Sequence, residues 1–252
     1  MNNRLNKVTA EKIEVCLLAG KIMMQSGGET YRVEDTMARM AASLGMPNAS
    51  SYVTPTGILF STEGTEPAKL IRITNRTTDL QKVNMVNTIS RALTEKRMTA
   101  EEAYRKLKQI DAANHTFPIW VQIIAASIAS ACFMIMFQGP WTDFLASLVT
   151  GGFGFLSFVI INRFVQVKFF SEFTASFIIG LLAFLFVSYE MGHEADKIII
   201  GSVMPLVPGL LITNAVRDLM AGHLVSGLSK GAEAFLTSFA IGTGIALVFT
   251  IF

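Results

Sequence analysis

Cysteine is nearly absent, with two residues in 252. Cys16 lies in a charged region and Cys132 in a long apolar one, so they are not expected to pair, and neither has metal-ligand spacing. Both are expected as small buried hydrophobes. Histidine is almost as scarce. His115, His193 and His223 stand far apart, each near the end of an apolar stretch, which points to interfacial residues rather than ligands. There is no Gly-x-Ser-x-Gly elbow and no Gly-x4-Gly-Lys-Ser/Thr loop, so hydrolase and P-loop chemistry have no support. No enzyme activity, cofactor or metal is expected. The start, Met-Asn-Asn-Arg-Leu-Asn-Lys, has no apolar run behind it, so no cleavable signal peptide is expected. Charged residues are few, at 16% against 51% hydrophobic. That balance belongs to a polytopic membrane protein.

The apolar residues are concentrated in five runs, 118–138, 141–161, 170–189, 197–216 and 232–252. Each holds about 20 residues, enough to cross the ~30 Å hydrocarbon core as a helix. The expected fold class is therefore a polytopic α-helical membrane protein, with a five-helix transmembrane domain at 118–252. A soluble head domain occupies 1–117. Sixteen of the 21 Lys and Arg and 12 of the 19 acids lie in the head, which makes it mildly basic. A charge of that size suits apposition to an anionic inner leaflet better than nucleic-acid binding.

Loop charges set the expected orientation. Arg163 and Lys168 follow the second run, an acidic stretch from Glu190 to Asp196 follows the third, and Arg217 and Lys230 follow the fourth. The positive-inside rule then places the head in the cytoplasm and, after five passes, the C-terminus outside. Trp141 and Tyr189 stand at span ends, where aromatic belts form.

The head reads as a small α/β domain in the order ααββαα. Residues 11–26 and 32–44 have helical periodicity, with Val33, Thr36, Met37, Met40, Ala41 and Leu44 on one face of the second. Gly45 and Pro47 stop it. Residues 51–61 and 69–74 read as two strand-like runs, joined by the turn-rich 62–67. Asp79 and Thr99 are placed to cap two further helices. Between the first two helices lies Ser26-Gly27-Gly28-Glu29-Thr30-Tyr31-Arg32. The glycines can end one helix and Thr30 can cap the next. The corner reads either as a plain helix-turn-helix joint or as a regulatory, gating corner formed by Ser26, Gly27, Gly28, Glu29, Tyr31 and Arg32.

The fourth run holds Met204-Pro205-Leu206-Val207-Pro208-Gly209. Each proline removes a backbone donor and crowds the carbonyl four residues back. A break here frees polar backbone at bilayer depth, tolerable only where protein or a water-filled cavity satisfies it. It reads either as a packing kink or as a broken-helix substrate site of the kind transporters use. Downstream, Asn214, Arg217 and Asp218 share a helical face. They read either as a helix end with a surface salt bridge or, with Pro205, Pro208 and Gly209, as the lining of a substrate pathway. Gly151, Gly152 and Gly154 read as close helix packing. No ionisable residue falls mid-span, and Asp143, Glu172, Glu190 and Glu233 are all near ends. Ser238, Gly242 and Ala246, four apart on the last span, form a stripe suited to a partner helix.

The Ser-Gly-Gly-Glu-Thr-Tyr-Arg-Val-Glu-Asp-Thr corner followed by Pro55-Thr56-Gly57, and Pro-Leu-Val-Pro-Gly followed by Asn-Ala-Val-Arg-Asp, resemble the threonine/serine exporter (ThrE-type) family, in order over nearly the whole chain. The family's usual Ser-Gly-Ala-Glu reads Ser-Gly-Gly-Glu here. The resemblance implies a secondary exporter of small polar metabolites in a bacterial plasma membrane, with threonine and serine efflux first and succinate as the alternative. Long members fuse two membrane halves. A chain stopping after the first resembles the long subunit of the split form, whose expected partner is a short membrane protein. A second five-span half would be inverted relative to this one. The Arg217–Asp218 pair, one charge of each sign, leans toward an amino acid over a dicarboxylate. A membrane-anchored ligand sensor or scaffold is the reading from another class, but it has no need of a broken fourth helix.

Overall fold

The computed structural model describes every residue except 1, 64–66 and 166, and side chains from residue 9 onward. The chain divides into two compact units, Met1–Thr116 with Leu210–Gly231, and Phe117–Gly209 with Ala232–Phe252.

In the first unit, α1 (Asn2–Gln25) and α2 (Thr30–Ser43) precede three strands, β1 (Ser50–Thr54), β2 (Gly57–Ser61) and β3 (Lys69–Arg72). Helices α3 (Leu80–Thr94) and α4 (Ala100–Ala112) follow. The run expected as a single strand over 51–61 is a hairpin, so the order is ααβββαα. Pro55-Thr56 is the turn, with Thr54 paired to Gly57. Pro fixes the φ that such a turn needs and interrupts the ladder. The turn expected over 62–67 lies partly outside the described residues. The sheet is an antiparallel meander in the order β1-β2-β3. Its period of two sends Val53, Ile58 and Phe60 into the core, where they meet α1 and α2 through Cys16, Met37 and Met40. Burial pushes the Cys16 thiol up to about 12, so it is inert at neutral pH.

Asp79 caps α3 by accepting from the Lys82 amide at 3.1 Å. Thr99 and Glu102 form a reciprocal capping box on α4. The expectation at Thr30 is corrected. The N-cap of α2 is Glu29, whose side chain makes no capping bond, and Thr30 is already helical. This unit also takes in nearly all of α9 (Gly209–Met220) and the first turns of α10 (Leu224–Ile251), joined by Gly222 in the left-handed region at φ 85°.

The second unit is helical. It contains α5 (Ile119–Met136), a 3₁₀ turn (Trp141–Asp143) entering α6 (Phe144–Val165), α7 (Lys168–Ser188), α8 (Ala195–Val203) and the body of α10. Among the described residues, four helices are long and apolar enough to cross a membrane. A fifth crossing exists if the bent pair Ala195–Leu206 and Gly209–Met220 counts as one span. The 197–216 run is thus two helices bent by 63°, not one rod. The glycines of α6 act as expected. A Cβ at Gly151 or Gly152 would collide with Ser130 or Ser127 of α5, and one at Gly154 with Ile179 of α7. Cys132 is exposed, contrary to expectation. A helix suited to lipid can turn small apolar residues outward, because burial from water needs no protein partner there.

Candidate functional site: the joint between the glycine corner and α9

α1 ends in a Schellman-type reversal. Gly27 takes φ 88°, and the Gly28 amide returns to the Met23 carbonyl at 2.9 Å. A Cβ at Gly28 would stand 2.9 Å from that same carbonyl, so a side chain there would force the reversal open. The segment entering α3 braces the corner, with the Thr77 amide on Gln25 O at 2.7 Å and the Asp79 amide on Ser26 O at 3.1 Å. The carbonyls of Gly27 and Gly28 are left pointing outward from the turn.

α9 and the start of α10 meet these groups. Asn214 Nδ2 donates to Gly27 O at 2.9 Å. Lys230 Nζ donates to Gly28 O at 3.4 Å and to Thr30 Oγ1 at 3.3 Å. Its main partner is Asp218 Oδ2 at 2.7 Å. Asp218 accepts from the Thr30 amide at 2.9 Å and from Thr30 Oγ1 at 2.8 Å. The α2 N-terminus is therefore capped by a carboxylate from a distant segment, which satisfies the Thr30 amide and complements the positive helix end. Thr30, Asp218 and Lys230 are all buried. A buried ion pair this closely hydrogen-bonded holds only because each remaining lone pair and proton finds a partner.

A second ion pair lies at the margin. Glu29 Oε1 pairs with Arg217 and Glu29 Oε2 with Arg32 Nη1 at 3.0 Å. Burial opposes the charged carboxylate, but hydrogen bonds from Arg217 and then Arg32 outweigh it and hold the carboxyl below its usual range. The Arg217 side chain is 62% exposed, so this half of the joint faces solvent. Nearby, the free edge of β1 is closed by side chains. The Val53 amide donates to Glu34 Oε1 at 2.8 Å and Val53 O accepts from Ser226 Oγ at 3.2 Å. His223 stands 3.8 Å from Glu34.

The structure thus brings the two sequence motifs together. Gly27 meets Asn214 and Glu29 meets Arg217, Gly28 and Asp218 share Lys230, Arg32 joins through Glu29, Ser26 is bonded to Asp79, and Tyr31 lies exposed. Arg217 and Asp218 do not form the surface salt bridge considered from sequence. Each is bonded elsewhere, Asp218 at 0% exposure. Sequence reading missed Thr30 as the capped residue and missed Lys230, Ser226 and Glu34. Lys230 lies twelve residues past Asp218, beyond a turn, where no helical spacing links the two.

Pro205, Pro208 and Gly209 belong to the other unit. Pro205 is the second residue of a 3₁₀ turn, Met204–Leu206. Val207 is extended, at φ −64° and ψ 129°, the conformation a following proline imposes. Gly209 has open space at its Cβ position. Among the described residues no group of three or more His, Cys, Asp or Glu could hold a metal. The histidines each face a carboxylate instead, His115 Asp79, His193 Asp143 and His223 Glu34.

Among the described residues, four apolar helices, or five with the pair bent between Pro205 and Pro208 counted as one span, are consistent with a polytopic helical membrane protein. The chain belongs to the ThrE family, described as "Putative threonine/serine exporter", whose model matches residues 14–252. It is 26% identical over 245 residues to "Probable succinate transporter subunit YjjP" of Klebsiella aerogenes, covering 94% of this chain and 92% of that protein. The Escherichia coli K12 protein of the same name is 25% identical over 246 residues, covering 94% and 93%. "Pheromone-regulated membrane protein 10" of Saccharomyces cerevisiae is 24% identical over 233 residues, which is 90% of this chain but 30% of that protein. No solved structure matches.

Proposed function

We propose that this chain is one subunit of a secondary exporter for small hydrophilic carboxylates in a bacterial plasma membrane, with the head in the cytoplasm and the C-terminus outside. The observation that carries this reading is the break at Val207-Pro208 within an otherwise membrane-suited stretch. Broken helices at bilayer depth supply backbone groups for polar substrates. In this reading Pro205, Pro208 and Gly209 shape the substrate path. The glycine corner and the Asn214, Arg217, Asp218 face form a latch that couples the head to α9.

The substrate class rests on the relatives. The family description names threonine and serine, and two bacterial relatives of similar length are named for succinate. All three compounds carry a carboxylate. The Arg217–Asp218 pair no longer favours a zwitterion, because both charges are neutralised by Glu29 and Lys230.

A short membrane protein is the partner this reading requires. Those relatives are named as subunits. Ser238, Gly242 and Ala246 are exposed along α10, and a Cβ at Gly242 would meet open space. Five passes also leave the two termini on opposite sides, as an inverted second half would need. The test is efflux of succinate, threonine and serine from cells producing this chain with and without a short polytopic protein encoded beside it. Faster efflux of one of them with both proteins, and none with this chain alone, is expected. Export by purified chain alone in liposomes would refute the half-transporter reading.

A further inference from the structure

α7 and α10 pack at close range in the membrane unit. A Cβ at Gly244 would collide with the backbone at Phe173, and one at Gly180 would stand 3.0 Å from Val248 Cγ2. Glu172 of α7 and Thr237 of α10 lie buried in this seam, at 2% and 0% exposure. The Thr237 hydroxyl is close enough to interact with the Glu172 carboxyl. Yet neither Glu172 Oε2 nor Thr237 Oγ1 meets hydrogen-bond geometry with any partner. Buried polar atoms are almost always bonded, so two facing orphans call for a reason.

The one ammonium beside them is shared. Lys168 Nζ lies 3.9 Å from Glu172 Oε1 and 3.2 Å from Glu233 Oε1. One ammonium thus serves two carboxylates, and it is nearer the more exposed one. Glu172 thus holds the shared ammonium at the longer of the two distances. The only titratable residue of α6 is Arg163, exposed at its last turn. Asp196 and Lys197 of α8 sit in its first turn, which follows the far end of α7. Two orphan oxygens are too few for a hard metal cation, which takes six or more oxygen ligands. A single proton on Glu172 supplies the missing hydrogen bond between them.

We propose that Glu172 is a proton-carrying site of this protein, with Thr237 as its hydrogen-bond partner and Lys168 shared with Glu233 as its counter-charge. In the loaded state a hydronium proton is bound at Glu172 Oε2, water is released, and the new O–H donates to Thr237 Oγ1. In the unloaded state the proton returns to water and the Thr237 hydroxyl turns round to donate to the carboxylate. A threonine suits both states because its hydroxyl is donor and acceptor at once. Ionisable residues inside membrane segments mark ion and proton paths.

The proton site is tested without transport, by infrared difference spectroscopy of the purified full chain in lipid nanodiscs across pH. A protonated-carboxyl band that titrates, vanishes in Glu172→Gln and survives in Glu233→Gln is expected. Thr237→Val should shift the band without removing it, which keeps the test open if Glu172→Gln fails to purify as a monodisperse protein. A band that persists in Glu172→Gln, or that Thr237→Val leaves unmoved, overturns the assignment. Only the second arm rests on the exporter reading. With the partner present, Glu172→Gln efflux should lose its response to an imposed pH gradient by at least about tenfold. A wild-type response in that variant overturns the coupling role. Absence of any efflux from the wild type counts against the exporter reading, while the infrared result still decides the site.

Discussion

Asp218 caps the helix that begins at Thr30, accepting from both its amide and its hydroxyl across 188 positions of sequence. The same carboxylate holds Lys230 at 2.7 Å. A helix start, a buried cation and a glycine corner therefore depend on one side chain.

Removing that charge should be expensive. Asp218→Asn leaves Lys230 buried without its counter-ion, and breaking one side of a buried pair typically costs about 3–5 kcal/mol. A large fall in the thermal midpoint of the purified chain is expected. The double variant Asp218→Leu with Lys230→Met should be more stable than either single change, since no lone charge remains. A double variant as weak as the singles would mean that the hydrogen bonds to Thr30, not the charge balance, dominate.

The Glu29 pair should behave differently. The folded Glu29 carboxyl sits below its ordinary value of 4.5. Its contribution is therefore complete above that value and fades only as pH falls through the lower folded value. The stability difference between wild type and Glu29→Gln should stay constant from pH 8 to about 5 and shrink below about 4.5. Arg217→Gln, at an exposed partner, should change stability by less than about 1 kcal/mol. If the joint is a latch, the same variant should still alter efflux.

Pro205, Pro208 and Gly209, all replaced by alanine, should restore a continuous helix and abolish efflux while leaving membrane insertion intact. Alanine supplies the missing amides and relieves the restriction on Val207. Normal efflux by this triple variant would reduce the break to a packing kink.

Two glycines should separate packing from partnership. A Cβ at Gly201 would stand 2.7 Å from Ser130 O and 2.8 Å from Met134 N, so Gly201→Ala should cost roughly 1–3 kcal/mol. Gly242 faces open space, so Gly242→Leu should change stability by less than about 0.5 kcal/mol. It should nevertheless weaken co-purification with the short partner. Undiminished co-purification would place the partner elsewhere.

Orientation is checked by reporters fused after Phe252. One active only outside the cytoplasm should work, and a strictly cytoplasmic one should stay silent.

Much of this architecture is legible in the sequence because it rests on local rules. Asp79 and Thr99 cap the helices they precede, and the α2 stripe from Val33 to Ala41 is buried as its spacing dictates. The Gly151-Gly152 approach to α5 follows from the absence of side chains. The hairpin within 51–61 is harder, because Pro55-Thr56 interrupts an otherwise uniform β pattern. What escaped entirely is the long-range pairing. No periodicity links Thr30 to Asp218, Glu29 to Arg217 or Gly27 to Asn214. Glu172 looks peripheral by position in its span, yet it is buried.

The Asp218 cap also has a consequence in time. The apolar core of the head is made by residues between Ile13 and Ile110, so it can close while the chain is still being synthesised. Asp218 and Lys230 appear only after more than a hundred further residues, including three long apolar helices, have been made. At usual elongation speeds of about 5–20 residues per second, the α2 N-terminus waits on the order of 5–20 s for its counter-charge. A chain whose later helices go astray keeps an uncapped α2 and a glycine corner with bare carbonyls, a defect that the cell's proteases could read long before any substrate is moved.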